Sequence, residues 1–139
     1  MPSLSRWYIK AGLLYLVIAL TLGALTVIRP AFIAPALLSG LYPVFLHLFI
    51  VGWITQLIFG IAYWMFPKQS KEQPRGDIRI ARVVFVLLNT GLCLRAIGEP
   101  ALAVYPGSAV GSLLGLSAIL QVLAGWLFVA SIWGRVKER

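Results

Sequence analysis

Four stretches of this chain are each long and apolar enough to cross a bilayer, and that limits the fold more than any other feature. A hydrocarbon core about 30 Å thick needs roughly 20 helical residues at 1.5 Å rise per residue. The stretches run from about Tyr8 to Ile28, Val44 to Phe66, Val83 to Val104 and Ala109 to Trp133. Lipid offers no partner to a free backbone amide, so each must be a helix; the alternating pattern of a membrane barrel is missing. The sequence therefore predicts an all-α, integral membrane four-helix bundle, with residues 1–139 as one transmembrane domain. Charged residues make up 12% of the chain, against about 25% in a soluble domain, and they cluster between the stretches.

Where the basic residues fall predicts the orientation. Arg6 and Lys10 precede the first span. Lys68, Lys71, Arg75, Arg79 and Arg82 lie between the second and third, and Arg135, Lys137 and Arg139 follow the fourth. Those are ten of the 12 Lys and Arg; Arg29 alone is on the other side, and Arg95 is inside a span. Both termini and the 67–82 loop are thus expected in the cytoplasm, with a bacterial inner membrane as the location. The net charge of +8 is explained by topology, so no nucleic-acid partner is expected. The loop is also suited to anionic lipid or an acidic partner.

The first span is longer than the apolar part of a secretory signal and is followed by Arg29-Pro30, so it reads as retained. Residues 29–43 are apolar but carry Pro30, Pro35, Gly40 and Pro43, which predicts an irregular cap along the outer interface. Tyr42 and Tyr105 are expected at the outer boundary, and Trp7, Tyr8, Tyr63, Trp64 and Trp133 at the inner one. Trp53 and Trp126 fall deeper and must pack or line something. Small residues suit close helix contact: Gly111-x-x-x-Gly115 with Ser112, Ala118, Ala124 and Gly125, then Ala19-x-x-x-Gly23, and Gly52 with Gly60.

Polar side chains at membrane depth are costly and mark function by default. Here they are His47, Gln56, Asn89, Arg95, Glu99 and Gln121. Helix rise puts His47 about 7 Å below the Tyr42 boundary, Glu99 at a similar depth and Arg95 about 6 Å lower. Arg95 and Glu99 are four residues apart, so they share a face and can pair. Two readings of the pair stand open: it only neutralises itself between helices, or Glu99 accepts a hydrogen bond from the His47 ring and fixes its tautomer, as around a metal-binding imidazole. For His47 the plain alternative is a hydrogen-bonded core histidine.

The second span places His47 near its outer end, then Gly52-Trp53, then Gly60 and a closing Met65-Phe66-Pro67. This pattern, with Arg95-Ala96-Ile97-Gly98-Glu99-Pro100 in the third span, resembles small proteins related to subunit I of haem-copper oxidases. The resemblance covers about half the chain and implies one four-helix arc of that subunit. It further implies that His47 is the axial, metal-binding ligand of a haem b. Arg95, from its charge and depth, is a candidate partner of the haem propionates, and Glu99 completes the cofactor-binding set.

With no second histidine, a copper site and oxygen reduction by this chain alone are not expected. A second imidazole on the same iron must come from another copy, which predicts a homo-oligomer, dimer or trimer, sharing haem through His47. A haem held by two imidazoles carries electrons and leaves no open position; a single-histidine haem would suit sensing. Cys93 and Met65 lie outside the His47 layer and read as packing residues. No nucleophile with its base, phosphate loop, paired carboxylates or broken transporter helices are present. The sequence thus predicts a haem b protein for electron transfer or haem-linked sensing, without turnover of its own. The rival is a cofactor-free accessory subunit of a larger respiratory or photosynthetic complex.

Overall fold

A computed structural model describes every residue except 72, 73, 108 and 137–139; the expected cytoplasmic Lys137 and Arg139 therefore lie outside the described residues. Its described elements are all helical: α1 (Ser3–Ile28), α2 (Pro35–Met65), α3 (Ile78–Val104) and α4 (Val110–Trp133), each long and apolar enough to cross a membrane. Successive helices run antiparallel. One end carries the start of α1, the 67–77 connection and the exit of α4; it is the basic end, and the opposite one is the Arg29 end.

α2 starts well before the expected boundary. Pro35 takes the first helical position, where a missing N–H costs nothing, and the helix runs on through Pro43. Only residues 29–34 form the irregular connection expected over 29–43. A π-helical segment, Leu48–Thr55, interrupts α2 immediately after His47, and Thr55 Oγ1 donates to Ile50 O five residues back. At about 100° per residue, nine residues of α-helix would put His47 and Gln56 on opposite faces. The wider π turns rotate less per residue, and both side chains meet α3.

α1 packs along the whole of α2, α2 meets α3 mainly towards the Arg29 end, and α4 follows α3 while its backbone stays clear of α1 and α2. At the basic end all four helices share one core: Leu4 and Tyr8, Ala62 and Tyr63, Val84 and Leu88, Ala124 and Phe128. Phe128 stacks on Phe59 with centroids 3.6 Å apart, closing α4 over α2 there. At the Arg29 end the core comes from three helices, through Ala19, Val44, Leu48 and Leu92.

Two expectations about packing are corrected. Gly111, Gly115 and Gly125 have open space beside them, and α4 is held through glycines of its neighbour instead. A side chain at Gly91 would meet Gln121 and Ser117, and one at Gly98 would meet Leu114. Seven residues apart, Gly91 and Gly98 recur on one face of α3. The other glycines act as expected, Gly52 and Gly60 lying against Tyr15 and Tyr8. Among the aromatics, Tyr8 and Tyr63 are core residues, not boundary residues. The Tyr8 hydroxyl donates to Ala81 O, which satisfies the one polar atom that would otherwise seek the interface. Trp7, Tyr42, Trp64, Tyr105 and Trp133 are exposed. Trp53 packs edge-on to Phe49, whereas Trp126 faces outward.

Arg135, counted in the sequence with the basic residues that follow the fourth span, is buried at 1% exposure. Its Nε donates to Pro67 O at 3.0 Å, and its Nη2 donates to Tyr63 O at 3.1 Å and Phe66 O at 2.8 Å. These carbonyls include the last turn of α2, which has no helical donors left. One guanidinium therefore ties the exit of α4 to the end of α2. Burial pushes its pKa down, with the nearby Tyr63 side chain opposing that shift.

Candidate functional site

His47, Arg95 and Glu99 meet at the Arg29 end of the α2/α3 contact. Gly40 makes the approach possible: a side chain there would fall 2.7 Å from Pro100 Cα and 3.0 Å from Glu99 O. With α2 seated against the Glu99-Pro100 turn, Glu99 Oε1 accepts from Arg95 Nη1 at 2.9 Å and lies 3.4 Å from His47 Nδ1. The ring nitrogen is also 2.8 Å from Pro43 O. Gly40→Ala is therefore expected to separate α2 from α3 at this layer and cost about 1 to 3 kcal/mol, read as a lower Tm in detergent. An unchanged Tm would show that the helices re-seat freely.

The tautomer follows from the partners. A carbonyl oxygen only accepts, so Nδ1 must carry the proton, which it donates to Pro43 O, while Glu99 Oε1 lies 3.4 Å away at ion-pair distance. In the neutral ring Nε2 then holds the lone pair. It has no hydrogen-bond partner among the described residues, and the His47 side chain is 32% exposed.

Helical spacing shows which way the site opens. Val44 and Leu48 are buried between α1 and α3, and His47 lies on their far side from α1. On α3, Leu92 and Glu99 face α2 while Gly91 and Gly98 face α4; Arg95 falls between the two rows. The site therefore lies where α4, closed over α2 at the basic end, follows α3 away from it. Glu99 is the most enclosed of the three, at 8% side-chain exposure against 18% for Arg95. Glu99 Oε2 and Arg95 Nε are buried and have no hydrogen-bond partner among the described residues, so the pair is incompletely satisfied.

The remaining polar residues within the spans form separate structural contacts. Asn89 Oδ1 accepts from Tyr15 Oη at 2.9 Å and from Gln56 Nε2 at 3.0 Å, and Asn89 Nδ2 donates to Phe85 O. Gln121 donates to Ser117 Oγ, which donates to Gly91 O. Such pairing lets polar groups sit among apolar helices. Met65 and Cys93 are exposed. No group of three or more His, Cys, Asp and Glu side chains gathers among the described residues.

The sequence did not point to Pro43 as the partner that holds His47. A proline four residues before a histidine is a weak signal that becomes meaningful only once the helix continues through it. The fold and site thus define an all-helical protein with four helices fit to cross a membrane and an ionisable trio set within them. Comparison with protein families, curated proteins and solved structures gives no match.

Proposed function

We propose that this chain is an integral membrane protein that holds a b-type haem through His47 Nε2, for electron transfer or haem-linked sensing. The observation that carries this reading is the setting of the imidazole: Nδ1 donates to Pro43 O with Glu99 Oε1 3.4 Å away, and Nε2 has no hydrogen-bond partner among the described residues on a side chain that is 32% exposed. Metal-binding histidines are oriented in the same way, by an acceptor on the far nitrogen that also raises their basicity. A haem asks the protein for axial ligands only, so the absence of a three-ligand cluster does not count against it. When bound, the haem would supply a one-electron couple; the chain supplies the ligand and, through Arg95, a cation beside it.

Since this sequence has one histidine, a second imidazole on the iron belongs to another copy. The outward placement of His47 suits such sharing across a twofold axis. The resemblance to one arc of haem-copper oxidase subunit I supports the same reading. The proposed setting is a bacterial inner membrane, as a homo-oligomer or within a larger respiratory complex, with both termini and the 67–82 loop in the cytoplasm.

Two experiments test this. Protein purified from haem-replete cells is expected to show a reduced-minus-oxidised haem b spectrum that His47→Ala abolishes. A spectrum unchanged in that variant would remove His47 as ligand. Reporter fusions in the 67–82 loop and at the carboxy terminus are both expected to report cytoplasm; a periplasmic signal from either overturns the orientation.

A further inference from the structure

We propose that a cavity at the Arg29 end seats a phospholipid, with its phosphate on the Arg29 guanidinium and an acyl chain along the apolar wall. The cavity measures about 660 Å³ and lies between the last turn of α1, the 29–34 connection and the first two turns of α2. Val27, Pro30, Ile33 and Leu38 make it apolar, with Tyr42 at its rim. That volume is in the range of small-molecule sites.

Arg29 is an unfavourable residue on two independent counts. It caps α1 at φ 49°, the one non-glycine with positive φ among the described residues, a region that side chains with a Cβ rarely occupy. It is also the one Lys or Arg between the first two spans, where basic residues are disfavoured if the loop end is cytoplasmic. Its guanidinium has no ion pair or hydrogen bond among the described residues. An exposed cation held there at such a disadvantage fits a role in contacting an anion.

The other polar groups at the cavity do not compete for that anion. Thr26 and Ser39 donate their hydroxyl protons to their own helices, at Gly23 O and Ala36 O, and no carboxylate lines the wall. The start of α2 has no side-chain cap, so its positive end adds in the same sense. A lipid fits better than a soluble anion because the charge sits on an apolar cavity. The adjacent Val27 and Phe32 are also 82% and 86% exposed.

The test uses the whole protein in detergent, read by native mass spectrometry and thermal unfolding, and is independent of haem content. Dioleoylphosphatidylglycerol is expected to be retained and to raise Tm, and dioleoylphosphatidylcholine to do so more weakly. Dioleoylglycerol and inorganic phosphate are expected to do neither. Arg29→Gln is expected to weaken phosphatidylglycerol retention about tenfold, the worth of one charge-assisted hydrogen bond. Arg29→Gly serves the same end while relieving the positive φ, so it is expected to fold even if the glutamine variant does not. Equal retention of dioleoylglycerol, or undiminished phosphatidylglycerol retention by the glycine variant, overturns the proposal. Full stabilisation by inorganic phosphate alone would assign the cavity to a soluble anion and overturn the lipid.

Discussion

Replacing Arg95 by leucine is expected to cost about 3 to 5 kcal/mol of stability, the usual loss when one partner of a buried ion pair is removed. The cost comes from what is left behind. Glu99 is 8% exposed, its Oε1 loses the 2.9 Å bond from Arg95, and its Oε2 already has no hydrogen-bond partner among the described residues. The reverse change should be milder. In Glu99→Leu the arginine side chain is already 18% exposed, and its long stem can carry the charge outward. The double variant Arg95→Leu, Glu99→Leu removes both charges and is expected to recover most of the loss, so the cycle should report strong coupling. Thermal unfolding of the four proteins in one detergent decides this. Additive effects, or a single Arg95→Leu with unchanged yield and Tm, would mean that the pair contributes nothing within the bundle.

Arg135→Ala is expected to cost roughly 3 kcal/mol, because it strips the donor from three carbonyls at the end of α2. Arg135→Lys should restore only part of this. A lysine ammonium is a compact point charge, whereas the planar guanidinium reaches Pro67 O through Nε and Tyr63 O and Phe66 O through Nη2. The effect should be local first, with faster amide exchange over the last turn of α2 and around Tyr63, followed by a lower Tm. Protection in that turn equal to wild type would show that water replaces the guanidinium without penalty.

Much of this architecture could be read from the chain because bilayer thickness acts as a ruler. Twenty-residue apolar stretches identify four helices whatever their packing, and helix rise alone puts His47, Arg95 and Glu99 in one layer. Facing directions were less legible. The glycines of α4 look like a packing face in sequence, yet Gly91 and Gly98 on α3 make the contact, since either of two adjoining helices can supply the small residue. Nothing in the residues Leu48–Thr55 marks a π segment; the structure shows it, and its consequence is that Gln56 and His47 both reach α3. Arg135 counts as one more cytoplasmic charge until the end of α2 is placed beside it. Pro35 reads as a break because the first-turn position that accepts proline depends on where the helix begins, and Pro43 because an interior proline removes a helical hydrogen bond, yet α2 runs on through it.

The claim that His47 Nε2 is an iron ligand is tested most directly by measuring haem per polypeptide and the electron paramagnetic resonance spectrum of the oxidised protein, purified in native lipid from haem-replete cells. One low-spin haem with two imidazole ligands for every two chains is the expected result. Colourless protein, with the ring of His47 touching only its neighbours, would contradict it.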